Sequence, residues 1–491
     1  MKRDIYRKIQ VAGIFFLLNL CFYGIFCVQH FAADTYLTET YGWYEIGDLY
    51  WENGRWLMTL LCAVCDIFSI GFAAEKTISW ILAMIFLPLA EMVLYEILEK
   101  KIGHGDKPDF KWILIVLSSF MMISNLFVLE YFIFAEYTGP ICVGIFFNVL
   151  EVRWVLKFLD TGKWMDFFLG VFFGIVGIMG HQGAFGLTAV LLILLAEHTF
   201  LNVKTFFKNT VVIGSAYLIP AVVNVIQTKI CGSSRVAGEL KLIESLKAAV
   251  FQSYELLKST ANFMPCFLYL GLCGTAGIVV LVIIIKKKDI RKILHIFYVC
   301  MVFTMAVLAP FLMTESAYIS VVPRTVYIMG AGLPIIMILL LLAGELPQKI
   351  LKAAVVYAAV FLGIQYFNVC QMETSHYVAN GIDYYECNYI EYQVYLYEQE
   401  TGNHVTKIKI YVDDSPLGIY YNLTGYGAIN ERVLSNDWAA PNAYMVFTGR
   451  DLTVEEADSA IYEKYFQGKN WDFFSQEQIV LIGDTLHLCL Y

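Results

Sequence analysis

Long apolar runs are the feature that most constrains the fold of this chain. Before residue 370, at least ten runs of about 18 or more residues are dominated by apolar side chains. Roughly 20 helical residues cross the hydrocarbon core of a bilayer, so each run is a candidate transmembrane helix. The first run follows the basic segment MKRDIYRK and lacks a small-residue cleavage site, which predicts a retained helix. The sequence therefore predicts a polytopic α-helical membrane protein.

Basic residues predict how these helices are oriented. Lys and Arg favour cytoplasmic loops, so the segment MKRDIYRK places the N-terminus in the cytoplasm. The later Lys-rich loops also fall inside if the short run at 56–73 lies along the interface instead of crossing. This pattern predicts a multi-pass protein of the plasma membrane with about eleven crossings. The predicted crossings are 10–29, 77–98, 111–130, 140–158, 165–180, 184–199, 209–229, 264–285, 293–312, 324–344 and 350–368.

The chain changes character at about residue 370. Residues 370–491 carry 18 Asp and Glu against 6 Lys and Arg, and they are polar and punctuated by turns. We therefore predict two domains, a membrane domain at 1–369 and a small extracytoplasmic α+β domain at 370–491. The elements predicted for the second domain are helices at 381–399 and 453–466 and strands at 405–412, 443–449 and 478–491. In addition, an outer loop at 230–263 has the spacing of an amphipathic surface helix.

The candidate site begins in residues 32–55, an acidic and aromatic segment that directly follows the first helix. It is predicted to be an outer loop, and it ends in the turn Asn53-Gly54-Arg55. Asp34 lies just past the helix end, where a carboxylate can act as the base that deprotonates an acceptor hydroxyl. The alternative interpretation of Asp34 is an ordinary solvated loop acid.

Two arginines lie at the predicted outer mouths of helices, where cations are otherwise depleted. Arg55 opens the run at 56–73, and Arg324 follows Pro323. An arginine at an interface can bind a phosphate through two parallel hydrogen bonds. The alternative is a side chain that snorkels or pairs with a loop acid.

Other polar and aromatic residues of the predicted outer loops can bind a sugar. An aromatic ring can stack on a sugar face, although tyrosine and tryptophan also form interfacial belts. Carboxylates and amides can hydrogen-bond sugar hydroxyls. The residues predicted to bind substrate are Tyr36, Glu39, Asn53, Glu136, His181 and Gln182. We find no nucleotide-binding loop, no clustered metal ligands and no basic arm for nucleic acid, so we expect neither a cofactor nor a metal.

These motifs together resemble a known family. A loop Asp after the first helix (Ala33-Asp34-Thr35-Tyr36), the turn Asn53-Gly54-Arg55, His181-Gln182 and Pro323-Arg324 are similar to motifs of the Gtr-type bacterial membrane glucosyltransferases. Those enzymes belong to the GT-C superfamily of lipid-phosphate-sugar-dependent glycosyltransferases. Two departures stand out. Many relatives carry Asp-Asp-Tyr where this chain has Asp34-Thr35-Tyr36, and His181 replaces a more usual aromatic residue.

The resemblance implies a GT-C-like fold and sugar transfer at the outer face of the membrane. The donor it implies is a polyprenyl-phosphate sugar, with undecaprenyl-phosphate glucose the expected form. The acceptor is a wall or surface glycan such as a teichoic acid. By the resemblance Asp34 activates the acceptor, Arg55 and Arg324 hold the leaving phosphate, and a single displacement inverts the anomeric centre. A helper acid, Glu39 or Glu136, can replace the missing second Asp, or else the activity is altered or lost.

Two other function classes stay open at this point. A transporter or flippase of lipid-linked sugars would share the helices and the outer arginines, but it would need polar residues at mid-bilayer and often internal repeats. A non-catalytic, membrane-anchored assembly protein would work through residues 370–491 alone, without Asp34.

Overall fold

The computed structural model of the chain is mostly helical and has a small sheet near its C-terminus. It describes residues 2–103, 109–196, 202–233, 242–258, 266–312, 314, 319–412, 429, 432–469 and 474–490. Within these ranges, seven helical segments are long and apolar enough to cross a membrane. The seven are Ile5–Cys27, Phe72–Ile102, Phe110–Ile133, Val203–Ile230, Leu268–Lys286, Ile290–Phe311 and Gln348–Thr401.

These seven segments coincide with seven of the eleven predicted crossings, and the total of eleven is not confirmed. Three of the other four predicted crossings are apolar helices that are short for a span, namely Trp164–Ile178, Gln182–Leu195 and Tyr327–Leu342. The fourth is the 24-residue helix Thr138–Thr161, which is not among the seven. The structure thus supports a multi-pass helical protein with at least seven candidate spans in its described part.

The helices of the first 369 residues are labelled in chain order, and α15 continues beyond them. They are α1 Lys2–Tyr23, α2 Ala33–Glu52, α3 Trp56–Ile67, α4 Phe72–Ile102, α5 Phe110–Ile123, α6 Leu129–Ile133, α7 Thr138–Thr161, α8 Trp164–Ile178, α9 Gly186–Leu195, α10 Val203–Ile230, α11 Leu242–Lys258, α12 Cys266–Lys286, α13 Ile290–Leu308, α14 Gly332–Leu342 and α15 Gln348–Thr401. Helix α4 packs along α1, α5 and α7, and α7 also packs closely on α8. This bundle holds the largest hydrophobic core of the molecule.

The predicted outer loop at 32–55 is in fact helical. Most of it forms α2, which is kinked at Gly42, where φ is +81° and the backbone leaves the helical region. A tight turn follows in which Gly54 has a φ of +72°, a conformation that favours glycine. Helix α3 then runs for 12 residues, too few to cross a bilayer, as predicted for the run at 56–73. The segment thus forms a helix that packs on α3, and its location outside the membrane stays a prediction.

Helix α15 is one continuous helix of 54 residues. The predicted helices at 350–368 and 381–399 are both parts of it, and the predicted domain boundary at 369/370 falls inside it. At 1.5 Å per residue its length is about 80 Å, more than twice the thickness of a bilayer core. The helix therefore joins the apolar bundle to the C-terminal part without a break.

The C-terminal part contains a four-stranded sheet with the strand order β2-β1-β4-β3. Strand β1 pairs in parallel with β2 and β4, and β3 and β4 form an antiparallel hairpin. The strands predicted at 405–412 and 478–491 correspond to β1 and to this hairpin. The elements are β1 Lys407–Val412, α16 Ala440–Thr448, β2 Thr453–Glu455, α17 Ser459–Tyr465, β3 Ile479–Ile482 and β4 Thr485–Leu490.

Two predictions for this part were wrong. Residues 443–449, predicted as a strand from their aromatic and β-branched content, lie in α16. Pro441 stands in the first turn of that helix, and Gly449 ends it with a φ of +70°. The helix predicted at 453–466 begins only at Ser459, where the Asp458 carboxylate accepts a hydrogen bond from the backbone of Ala460. Its first residues instead extend the sheet as β2.

Helix α11 is the described part of the predicted surface helix. It buries Ser245, Ala249 and Leu256 and exposes apolar residues that include Ile243 and Phe251. An exposed apolar face suits a position at the membrane surface, which stays a prediction. The helix also holds the segment before Arg324, because the Gln252 side chain donates to the Ile319 carbonyl at 2.8 Å and accepts from the Val321 amide at 2.9 Å.

Candidate functional site

The first part of the candidate site joins the start of α2 to the residues that precede α7. Asp34 stands in the first turn of α2 and is half-buried. Its neighbour Thr35 accepts a hydrogen bond from the Ala32 amide at 3.0 Å and donates one to Glu136 Oε2 at 2.9 Å. The chain thereby places Glu136, which is almost fully buried, beside Asp34.

The charge state of Glu136 depends on its neighbours. Burial, and after it the negative charge of Asp34, raise the pKa of this carboxyl to about 7. The positive charge of Lys76 and the hydrogen bond from Thr35 act in the opposite direction. One carboxyl that holds a proton near neutral pH, beside another acid, is an arrangement suited to proton transfer.

A buried cation lies next to these acids. Lys76, in the first turn of α4, is 6 % exposed, and its Nζ lies 3.8 Å from the centre of the Phe31 ring and 4.5 Å from that of Phe72. Its charge acts on Glu136, Glu39 and Glu75. Glu39 lies on α2 with its side chain largely at the surface, where partial desolvation raises its pKa and the charge of Lys76 lowers it.

Two tyrosines connect the acids with the rest of the site. The rings of Tyr50 and Tyr137 meet edge to face with their centres 4.9 Å apart. Burial raises the pKa of Tyr50 well above its ordinary value, and the charges of Glu136 and Asp34 raise it further, while Arg55 lowers it. The Tyr50 hydroxyl thus lies within electrostatic reach of both acids and of an arginine.

A small cavity, roughly the size of one water molecule, opens beside these tyrosines. It is bordered by the side chains of both Glu75 and Glu136. Glu75 is fully buried, and neither of its carboxylate oxygens has a hydrogen-bond partner among the described residues. The lining residues are Thr38, Trp43, Tyr50, Met58, Leu61, Cys62, Glu75, Glu136 and Tyr137.

The second part of the site contains both predicted arginines. Arg324 Nη1 lies 2.6 Å from Oε1 of the fully buried Glu130, and its guanidinium stacks over the Phe134 ring at 4.5 Å from the ring centre. The Tyr131 hydroxyl donates to the Arg324 carbonyl at 2.8 Å. The positive charges of Arg55 and Arg324 both act on this same hydroxyl. Arg324 therefore contacts Tyr131 directly through its backbone, whereas Arg55 acts on Tyr131 through its charge.

The predicted turns at 53–55 and 181–183 are in direct contact. Gln182 Nε2 donates to the Asn53 carbonyl at 2.8 Å, and Asn224 Nδ2 of α10 donates to the Gly54 carbonyl at 3.0 Å. A Cβ at Gly54 would lie 2.6 Å from Asn224 Nδ2, so the close packing of this turn requires glycine. These contacts fix the backbone from which the Arg55 side chain extends.

His181 belongs to the same part of the site. The Gly183 amide donates to His181 Nδ1 at 3.1 Å, and the imidazole packs edge to face on Tyr131 with ring centres 5.4 Å apart. Gly183 itself lies against the Arg324 backbone, where a side chain would clash. His181 is thus buried beside Tyr131 and close to the Arg324 backbone.

The structure brings most of the predicted site residues together and places one of them differently. Tyr36 is fully buried, with Phe31 stacked on its ring at 4.9 Å and Phe447 of α16 edge-on at 5.2 Å. It packs the C-terminal part onto α2, so its predicted contact with a sugar would need this packing to open. Glu39 is exposed and joins the acid group only through Lys76.

Sequence reasoning did not single out several residues of this site. Glu75 and Lys76 stand at the edge of an apolar run, and charged residues in such runs are costly and often functional, which is a signal that could have found them. Tyr50 and Tyr137 are two among 32 tyrosines and carry no local signal.

No protein-family model matches the chain, and no curated protein matches it. The fold and the site define a class of protein: a mostly helical, multi-pass protein in which buried acids lie near two turns that carry arginines. Within the described ranges, no three His, Cys, Asp or Glu side chains are grouped as metal ligands would be.

Proposed function

We propose that the chain is an integral membrane glycosyltransferase that moves a sugar from a polyprenyl-phosphate donor to a surface glycan. The observation that carries this proposal is the hydrogen bond by which Thr35 holds Glu136 beside Asp34, together with the turn at 181–183 that contacts the backbone of both arginine segments. A proton-accepting group and a phosphate-binding group within reach of one point are what sugar transfer from a lipid phosphate requires.

The reaction assigns each group a role. Asp34 accepts the proton of the acceptor hydroxyl as the acceptor oxygen attacks the anomeric carbon of the donor. The bond between that carbon and the phosphate oxygen breaks, and its electron pair leaves with the polyprenyl phosphate. Arg55 and Arg324 stabilise the additional negative charge on the phosphate. One displacement inverts the anomeric centre, and the sugar transferred under this proposal is glucose.

Glu136 supplies the second acid in this proposal. In Asp-Asp-Tyr sequences of the resembling family the second acid follows the first directly, whereas here Thr35 takes that place and hydrogen-bonds Glu136. The arrangement keeps two carboxyl groups at the site although only one comes from the first motif. Of the two helpers considered, Glu136 is favoured over Glu39 because Thr35 bonds it directly.

The proposal includes a side of the membrane. The N-terminus lies in the cytoplasm, and the acids, the arginines and the α+β part at the C-terminus lie outside the plasma membrane. The donor, undecaprenyl-phosphate glucose, reaches the arginines from the outer leaflet, and the acceptor is a teichoic acid or another wall glycan.

The direct test is transfer of labelled glucose from undecaprenyl-phosphate glucose to extracted wall glycan by the purified protein in liposomes. We expect transfer by the wild type and a loss of about 10²- to 10⁴-fold in Asp34→Asn, the usual contribution of a general base. Glu45→Gln is the matched control, because Glu45 is an exposed acid on the same helix. Equal transfer by Asp34→Asn, or none by the wild type with several polyprenyl-phosphate sugars, would overturn the proposal.

A second candidate function, flipping of a lipid-linked sugar, is favoured by buried acids within candidate spans. Glu91 of α4 is fully buried and accepts hydrogen bonds from Asn19 and Ser124. Glu373 of α15 is also buried, and its Oε1 has no hydrogen-bond partner among the described residues. Buried acids in spans often mark a transport path. Glucose-lipid flipping in liposomes that is lost in Glu373→Gln, with no transfer to glycan, would select this function.

A further inference from the structure

We propose that Lys76 is an electrostatic positioning residue that supplies positive potential to Glu136, so that this carboxyl can assist Asp34 when Asp34 accepts the proton of the acceptor hydroxyl. The inference rests on the proposed glycosyl transfer and deepens it. It assigns a role to a buried cation that the reaction scheme has not used.

The geometry of Lys76 is unusual for a buried cation. The ammonium lies over two aromatic rings, Phe31 at 3.8 Å and Phe72 at 4.5 Å, and no carboxylate oxygen of the described chain lies within 4.0 Å of it. Buried lysines are normally paired, because transfer of an ammonium out of water is costly. Here the aromatic faces offset part of that cost through cation–π attraction.

This mode of binding leaves the neighbouring carboxylates open. A direct ion pair would occupy the lone pairs of the acid with which it formed. Oε1 of Glu136 and both oxygens of Glu75 instead have no hydrogen-bond partner among the described residues. Lys76 therefore supplies positive potential to these acids without occupying their oxygens.

The surroundings explain why one cation has a large effect. The groups that face Lys76 or Glu136 are mostly acids or weak acids. Repulsion between their negative charges therefore favours the protonated form of Glu136. Lys76 is the nearby cation that opposes this repulsion at Glu136 and at Glu39. The titratable groups around the pair are Asp34, Glu39 and Tyr50 on α2, Cys62 on α3, Glu75 on α4, Tyr137 at the start of α7 and His30 before α2.

The test compares Lys76→Met with Lys76→Arg over a range of pH. Loss of an adjacent opposite charge raises a carboxyl pKa by about one unit or more. We therefore expect the acidic limb of the transfer rate to move up by about one pH unit in Lys76→Met, with about tenfold less transfer at pH 7 and recovery at pH 9. Lys76→Arg keeps the charge and should retain the wild-type profile. Lys157→Met is the control, because Lys157 pairs with Asp166 in another part of the bundle.

A second measurement does not depend on transfer. Infrared titration follows the carbonyl band of protonated carboxyl groups, and the band lost in Glu136→Gln belongs to Glu136. We expect this band to persist to higher pH in Lys76→Met, and in Lys76→Gln if the Met variant does not fold. An unchanged titration of the band would overturn the role of Lys76 even if transfer is found. If the wild type transfers no sugar but the Glu136 band is shifted in Lys76→Met, the proposed function is overturned and the electrostatic effect of Lys76 on Glu136 is retained.

Discussion

The Thr35 hydroxyl donates a hydrogen bond of 2.9 Å to Glu136, a residue 101 positions later in the chain. Thr35 lies in the first turn of α2 and Glu136 directly before α7, so the bond joins the N-terminal ends of two helices. Helix N-termini stabilise negative charge, which suits two carboxyl groups at this junction. The proposed chemistry depends on this junction.

Replacement of Thr35 by valine should make the proposed activity more dependent on pH. Thr35 lowers the pKa of Glu136, so its loss raises that pKa and leaves less of the carboxylate ionised at pH 7. A hydrogen bond to a charged group contributes about 1.5–3 kcal/mol, so we expect at least a several-fold loss of transfer at pH 7 and recovery at higher pH. The measurement is the pH–rate profile. Thr40→Val is the control, since the Thr40 hydroxyl bonds only a carbonyl of its own helix; identical profiles for both variants would contradict the prediction.

Glu136 should also make the stability of the protein depend on pH. Its pKa is about 7 in the folded chain and 4.5 ordinarily, so between these values the folded state holds a proton that the unfolded state has released. The contribution is fully present below about pH 4.5 and is lost as the pH rises through about 7. Its size is on the order of 3 kcal/mol.

The check is thermal unfolding in detergent at pH 5 and pH 8. From pH 5 to pH 8, the unfolding temperature of Glu136→Gln should fall by less than that of the wild type. The unfolding temperature of Glu45→Gln should fall as much as that of the wild type. An equal drop in Glu136→Gln would show that Glu136 does not titrate in this window.

Arg55 should contribute to donor binding. Loss of charge-assisted hydrogen bonds to a phosphate costs about 1.5–3 kcal/mol each, so Arg55→Gln should lower kcat/KM for the donor by about 10- to 100-fold. Arg55→Lys should recover only part of this, because an ammonium cannot form two parallel bonds. Initial rates at varied donor concentration measure the effect. Arg153→Gln is the control, as Arg153 pairs with Glu96 in an exposed position; a similar loss in both variants would argue against a phosphate site at Arg55.

Tyr36 should act through packing. Its buried hydroxyl has no hydrogen-bond partner among the described residues, so Tyr36→Phe should leave stability unchanged or slightly higher. Tyr36→Ala removes the ring that contacts Phe31 and Phe447 and should cost about 3–5 kcal/mol. Unfolding temperatures measure both effects, and transfer by Tyr36→Phe should equal that of the wild type. Reduced transfer by a fully stable Tyr36→Phe would instead support the predicted sugar contact.

Several parts of the fold were predictable because they depend on local sequence. The long apolar run that forms α4 and the β-branched and aromatic residues that form β1 are visible within ten to twenty residues of sequence. Residues 443–449 were misassigned for a related reason. Their side chains favour a strand, but Pro441 and Gly449 set the ends of a helix, and packing on α2 completes it.

The candidate site was predictable only in part. Five of the candidate residues stand in short motifs at the ends of apolar runs, and such motifs are visible in the sequence itself. They are Asp34, Arg55, His181, Gln182 and Arg324. The sequence could not show which acid lies beside Asp34, because Glu39 and Glu136 are both present in predicted outer loops. The structure places Glu136 there. Lys76 was missed because its partners are aromatic rings from different segments.

The sequence by itself determined that this chain forms apolar helices, approximately where they lie along the chain, and which segments carry acids and arginines. Hydropathy and periodicity are properties of neighbouring residues, so they can be recognised without any knowledge of the fold. Only the tertiary structure decided that Thr35 meets Glu136, that Arg324 pairs with Glu130, and that Tyr36 is a packing residue. These contacts join residues far apart in the chain, and they exist because helix packing, not sequence proximity, brings their side chains together.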